Sequence, residues 1–358
     1  MTAIEKLQSE LREAGAQAAL VASDVNRRYF TGMKSSAGTL LVFPDAAYLI
    51  IDFRYIEKAR AVVKDCEVIL QGGGGELYRQ IQQLCDKHGA EVIAVEADRM
   101  TLAEADKLSE ELDCTLDMSD MLCNAVGQIR MIKTPEQTEK MIAAQRIAEQ
   151  GLTHMYEFIK PGVTEKEIQL ELDFYMLSHG AEALSFDTIA LSGENTSMPH
   201  GVPSEKKVRE GEFVLMDFGA VVDGYHSDMT RTVCVGEPTD KMREVYNIVL
   251  EAQSRALSAV KAGMTGSELD AVARDYIAAN GYGEAFGHSL GHGVGVEIHE
   301  EPYASPSGDT TLRDGMIVTV EPGIYLPGEF GVRIEDFVVV REKGCNNMTL
   351  ADRSLVIL

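Results

Sequence analysis

The sequence predicts an α/β (α+β) chain, with an N-terminal α/β domain over residues 1–128 and an internally duplicated domain over 129–358. Three observations predict this. Helix-like and strand-like apolar runs alternate through the first third. Two acid-bearing segments are near copies, R-E-G-E-F-V-L-M-D-F-G from Arg209 to Gly219 and R-D-G-M-I-V-T-V-E-P-G from Arg313 to Gly323. Upstream of each, Lys160–Glu167 reappears as Lys261–Glu268 at a constant offset, with Tyr175 and Gly180 matching Tyr276 and Gly281.

In chain order, Ile4 to Ala14 forms an amphipathic helix closed by Gly15. An apolar strand follows at Ala18–Ala22. Thr39–Phe43 and Ala47–Ile51 make a hairpin about Pro44-Asp45, and a helix begins near Tyr55. Strands recur at Glu67–Leu70 and Val92–Val95, with helices between and after them. The run Gly72–Gly75 lacks the strand–GxGxxG–helix context of a phosphate loop, and no Lys-Ser/Thr follows, so a plain loop is expected. A boundary falls within Gly127–Lys133. Thr134 as N-cap and Pro135 at the first helical position then open a long helix. In both halves a helix ends before Gly, and Thr164 with Glu167, or Thr265 with Glu268, forms a capping box. The second helix stops at Gly180 or Gly281. Each half thus reads helix, capped helix, connection and acid-bearing hairpin, and a pseudo-twofold would bring the acids of both into one cleft.

At 358 residues the chain is long enough for two domains with ample core. Its 33 basic and 57 acidic residues give a formal charge of -24, which opposes binding to nucleic acid or anionic membrane. The six cysteines form no CxxC pair. With no signal-like N-terminus and no apolar stretch of spanning length, they are expected as reduced, buried thiols of a cytoplasmic protein.

The acids carry the chemistry. Asp217 aligns with Glu321, and Asp228 with Glu335 after a longer turn; each sits in or beside an apolar β-branched run. The spacing suits facing positions on adjacent strands. Ionised acids are rarely buried unless paired or bound to metal, and four in one pocket need cations. Oxygen donors favour Mn²⁺, Mg²⁺ or Ca²⁺, and an imidazole shifts the preference towards Mn²⁺, Co²⁺, Fe²⁺ or Zn²⁺. Phe286–His299 supplies His288, His292 and His299 among glycines that argue against a regular zinc-protease helix and allow close backbone approach. His200, in Met198-Pro199-His200-Gly201, opens a comparable loop in the first half. His88, His154 and His179 lie on helices or at helix ends and are expected to be structural or solvated.

These motifs resemble the pita-bread metallopeptidases (family M24), in their proline-specific branch of Xaa-Pro dipeptidases (prolidases) and Xaa-Pro aminopeptidases (aminopeptidases P). The resemblance covers about residues 130–358. The first domain resembles the creatinase-type N-terminal domain, through Tyr29-Phe30-Thr31-Gly32 and Asp52-Phe53-Arg54-Tyr55, which methionine aminopeptidases lack. It implies the metal ligands Asp217, Asp228, His292, Glu321 and Glu335, with Asp228 and Glu335 bridging two divalent ions, most readily Mn²⁺ with Co²⁺, Zn²⁺ or Fe²⁺ as alternatives. A bridging hydroxide would attack the Xaa-Pro amide. Glu321 would shuttle the proton, His299 and His200 would stabilise the oxyanion and position substrate, and His288 and Arg333 would line the substrate pocket. Arg333 could fork a substrate carboxylate or hold an acidic ligand. The implied partners are small peptides with proline second, and a second copy of the chain in a homodimer. Two other functions remain to be weighed. A creatinase-like amidinohydrolase lacks the five ligands, and a catalytically silent binding protein needs lost ones; here all five are present.

Overall fold

The alternating runs of the first third fold into one mixed sheet. The computed structural model describes residues 1–358 as two compact units, Met1–Arg130 and Met131–Leu358. The first holds strands β1 (Ala18–Val21), β2 (Thr39–Val42), β3 (Ala47–Ile51), β4 (Glu67–Leu70), β5 (Val92–Val95) and β6 (Thr115–Asp117), in the order β4-β3-β2-β1-β5-β6. β2 runs antiparallel to β1 and β3, and the other pairs are parallel. Alternate strand residues enter opposite cores. Ala19, Val21, Leu40 and Val42 pack with helices α1 (Ala3–Ala14), α2 (Asp24–Thr31) and α3 (Ile56–Val62). Ala18, Leu20 and Leu41 pack with α4 (Glu76–His88) and α5 (Leu102–Glu111). Helices on both faces explain the uninterrupted apolar strands. The last helix of this region is α6 (Met121–Met131).

Two local features differ from expectation. Helix α2 is not foreseen, and it buries Asn26 and Arg27. The Arg27 guanidinium is satisfied by the carbonyls of Ala22, Gly38 and Ser35, which removes the penalty of burying it. The run Gly72–Gly75 does join a strand, β4, to a helix, α4. A Cβ on Gly72 would lie 2.2 Å from the Glu76 side chain, so the chain's own acid occupies the start of that helix.

In the second unit two apolar cores form, one in each half, and Phe213 and Cys234 of the first hairpin join the second. Helices α7 (Pro135–Phe158) and α8 (Glu165–Ser178) pack with the first-half strands, and α9 (Asp240–Ala259) and α10 (Gly266–Ala279) with the second-half strands. Both capping boxes form. The duplication extends to single hydrogen bonds: Gly162 N–H to Val208 O and Val208 N–H to Val163 O repeat as Gly263 N–H to Leu312 O and Leu312 N–H to Met264 O.

Each acid-bearing hairpin has two consecutive ladders. In the first half, after β7 (Ala183–Leu184) and β8 (Ile189–Ser192), β9 (Glu212–Phe218) leads into β10 (Ala220–Val222). A turn at Asp223-Gly224, with φ of 51° and 82°, returns the chain through β11 (Tyr225–His226) and β12 (Met229–Val235). In the second half, β13 (Gly291–Gly293) and β14 (Glu300–Ala304) precede β15 (Ile317–Val320) and β16 (Gly323–Leu326). The return runs through β17 (Phe330–Arg333), β18 (Asp336–Arg341) and β19 (Gly344–Asn347).

The registers separate the two acid pairs. Val320 pairs with Asp336 and Gly323 with Arg333, so Glu321 and Glu335 face each other as expected. Asp217 pairs with Thr230, not Asp228. Asp228 lies two residues further along, diagonal to Asp217 on the same face, because strand side chains repeat every second residue. The shorter turn of the first hairpin causes this offset.

Candidate metal centre

Thr230 is where the two halves meet. It faces Asp217 in the β9–β12 ladder, its carbonyl accepts the Glu335 N–H at 3.1 Å, and its hydroxyl donates to Glu335 Oε2 at 2.8 Å. Thr319 plays a related part in the second half. Its hydroxyl donates to Glu321 Oε1 at 3.1 Å and accepts the His292 N–H at 3.0 Å. Close approach at this point needs glycine, since a Cβ on Gly291 would stand 2.0 Å from the Thr319 carbonyl oxygen. The glycines of this segment therefore let β13 lie against β15 and aim His292 at the acids.

All nine residues expected at the site line one cleft of about 760 Å³: His200, Asp217, Asp228, His288, His292, His299, Glu321, Arg333 and Glu335. The tightest group is Asp228, His292 and Glu335, whose donor atoms lie within 4.8 Å of one another. Asp217 and Glu321 flank it through ion pairs, Asp217 with Arg333 Nη2 and Glu321 with His292 Nε2 at 3.3 Å.

Three buried carboxylate oxygens of the cleft have no hydrogen-bond partner: Asp217 Oδ1, Asp228 Oδ1 and Glu335 Oε1. Burial, and for Asp228 and Glu335 next the charge of neighbouring acids, pushes the carboxyls of all three up, those two well above the ordinary range. An unpartnered buried oxygen is costly unless a cation meets it. With His292 on the same face, the donor set fits divalent metal.

His292 shows the same need for positive charge. Burial opposes its protonation, yet the hydrogen bond and charge of Glu321, then the Asp228 charge, raise its pKa to about 9. Glu321 is the reciprocal case: burial works against its charge, but His292 holds it down at about 2. The metal-free protein therefore carries an imidazolium among the acids. His292 Nδ1 lies 3.0 Å from the Gly293 carbonyl, to which it donates, leaving Nε2 towards the acids.

The remaining histidines divide. His299 is exposed in the cleft, its ring 4.4 Å from that of His292, and partial burial followed by the His292 charge lowers its pKa. His200 is exposed on the loop after the 3-10 turn Gly193–Ser197. His288, expected to contact substrate, has protein partners on both nitrogens. Nδ1 lies 2.7 Å from the Ser289 carbonyl and Nε2 2.8 Å from the Tyr325 hydroxyl. Arg333 is likewise committed: besides Asp217 it donates to Thr230 Oγ1 at 3.1 Å and to Tyr325 Oη at 2.8 Å, and it is 2% exposed. Of its two expected roles the geometry matches the holding of an acidic side chain.

Thr230, Thr319 and Tyr325 are absent from the expected site. The one sequence signal for the threonines is a hydroxyl inside an otherwise apolar run. His154 and His179 flank the Tyr175 ring on the α8 side, and His88 stacks on Phe43, all outside the cleft. All six cysteines are free, and no helix is long and apolar enough to cross a membrane.

Comparison with known proteins accounts for the two units separately. Residues 139–342 match the model of metallopeptidase family M24, and residues 4–132 that of the creatinase/prolidase N-terminal domain. The Xaa-Pro dipeptidase of Pyrococcus furiosus is 37% identical over 99% of both chains. Among solved structures, an Xaa-Pro dipeptidase from Bacillus anthracis superposes with a TM-score of 0.95 at 42% identity, covering 99% of each chain. An X-Pro aminopeptidase from Thermotoga maritima gives 0.91 at 39%, covering 98% of this chain and all of that one. With the acids, the imidazole and the duplicated frame already in place, these matches fix the kinship: the chain belongs to metallopeptidase family M24 and carries the creatinase/prolidase N-terminal domain.

Proposed function

We propose that the protein hydrolyses the Xaa-Pro bond at the N-terminus of dipeptides or short peptides, using divalent ions held by Asp217, Asp228, His292, Glu321 and Glu335. The observation that carries this reading is the set of three buried, unpartnered carboxylate oxygens facing one imidazole. When bound, two divalent ions supply a lowered pKa for water and a Lewis acid for the scissile carbonyl. Asp228 and Glu335, like Asp217, each have one unpartnered oxygen that a cation would satisfy. Glu321, a carboxylate lining the cleft, can take a proton from water and deliver it to the departing proline nitrogen. His299, kept neutral by its lowered pKa, offers a ring N–H to the developing oxyanion. His200, exposed at the cleft mouth, positions the substrate. Arg333 fixes Asp217, and Tyr325 links Arg333 to His288.

A cleft of about 760 Å³ accommodates a dipeptide or a slightly longer chain. The relatives include both a dipeptidase and an aminopeptidase at similar identity, and either substrate length agrees with them. Assaying Gly-Pro and Gly-Pro-Pro with Mn²⁺-loaded protein decides between them. Hydrolysis of neither, in protein shown to contain metal, would overturn the proposal. A homodimer, in keeping with the resemblance, is tested by light scattering, and a cytoplasmic location by cell fractionation.

A further inference from the structure

We propose that Arg231 is a positioning residue for Glu335, through which the C-terminal segment sets the affinity of the centre for metal. This rests on the reading of Glu335 as a ligand. Arg231 is 2% exposed, and each of its five N–H donors has a distinct acceptor. Nε donates to Asp352 O at 2.9 Å. Nη1 donates to Thr230 O at 2.9 Å and Glu335 O at 2.6 Å, and Nη2 to Asp336 Oδ1 at 2.7 Å and Ala351 O at 2.8 Å. One planar group therefore ties together three stretches of chain: the strand after Asp228, the corner bearing Glu335, and residues 351–352.

Arg231 does not touch the Glu335 carboxylate. It grips the main-chain carbonyl of Glu335 and the side chain of the next residue, while Thr230 holds the Glu335 N–H and Oε2. The Glu335 backbone is thus fixed from both sides, leaving Oε1 to face the cleft. The arrangement has no counterpart in the other hairpin, because the residue matching Arg231 is Val338 by sequence and Asp336 by register, and neither is a cation. Lysine cannot replace the fork, since a single ammonium has three donors radiating from one point.

The test is Mn²⁺ binding to the full chain by calorimetry or equilibrium dialysis, with thermal stability measured alongside. Arg231→Lys should weaken Mn²⁺ binding by roughly 10–100-fold, the usual cost of losing a group that orients a ligand. Tyr246→Phe is the control. It removes a 2.8 Å bond from the Tyr246 hydroxyl to Arg353 O, in the same C-terminal segment but to a carbonyl that Arg231 does not bond, and should lower stability with Mn²⁺ affinity unchanged. Wild-type affinity in folded Arg231→Lys overturns the proposal, as does an equal loss in Tyr246→Phe. Should Arg231→Lys fail to fold, Asp336→Asn, which removes one charged acceptor and keeps its shape, must weaken Mn²⁺ several-fold; no change overturns the proposal. Equal Mn²⁺ binding by wild type and Glu335→Gln would instead remove the ligand assignment, and the proposal with it.

Discussion

Thr230 and Glu335, from opposite halves of the duplication, are joined twice: main-chain N–H to carbonyl at 3.1 Å and hydroxyl to carboxylate at 2.8 Å. One acid of the second hairpin is thereby located by the strand of the first. Thr230→Val keeps the shape and the main-chain bond but removes the hydroxyl, which also receives Arg333 Nε. Activity at limiting Mn²⁺ should fall about tenfold and recover with excess metal. An unchanged Mn²⁺ dependence would show that the hydroxyl has no part in placing the carboxylate.

Chelation should abolish hydrolysis and Mn²⁺ or Co²⁺ should restore it, because carboxyls pushed up this far by burial cannot all ionise without cations. Elemental analysis beside the rate assay checks this. Full activity in metal-stripped protein would contradict it.

Asp228→Asn and Glu335→Gln should each lose activity by roughly a hundredfold or more, since each side chain offers an oxygen that only a cation can satisfy. The same variants, stripped of metal, should melt no lower than stripped wild type near neutral pH, because an amide cannot repel its acidic neighbours. Calorimetry on both forms measures the contrast, and a large drop in the stripped variants would count against it.

The two neighbouring histidines should fail differently. His299→Ala should lower kcat far more than it raises KM, by about 3 kcal/mol or a hundredfold, with metal content intact. His292→Ala should lose metal. Exchanged outcomes would mean that their roles are reversed.

Without metal, stability should fall as pH rises from about 6 to 9.5. His292 has its pKa raised from 6.5 to about 9, so its contribution is complete below about 6.5 and vanishes as pH climbs through 9. The raised carboxyls of Asp228 and Glu335 act in the same direction, since they too favour the protonated folded form. Melting temperatures with and without Mn²⁺ should diverge across this range, because binding ceases to displace the His292 proton. Parallel curves would refute the sign.

The acids were legible in the sequence because a carboxylate beside a β-branched run violates ordinary burial, and because the duplication repeated the violation. His292 was legible from its glycines, and Thr164 and Thr265 from their capping boxes. What supports these residues was not. Thr230 and Thr319 are unremarkable in a strand, and their partners include groups 105 and 27 residues away. The diagonal placement of Asp217 and Asp228 depends on register, which the shared spelling of the two hairpins conceals. Arg333 and His288 line the cleft, and the Tyr325 hydroxyl that engages both carries no mark in the sequence.

Each half of the second unit has an apolar cluster, that of the second half also taking in Phe213 and Cys234 from the first hairpin, and the acids stand where the two halves meet. The stiffness of the centre is therefore inherited from two frames that also share apolar contacts, Phe213 against Phe330 among them, while hydrogen bonds locate the acids at the seam. Taking the cations away leaves each frame intact but strips the buried acid oxygens at the seam of the partner that would satisfy them. Amide hydrogen exchange in stripped protein should then quicken first around Thr230, Arg333 and Glu335, with the helices behind them still protected. Metal would in this sense be a fastener between halves as well as a reagent.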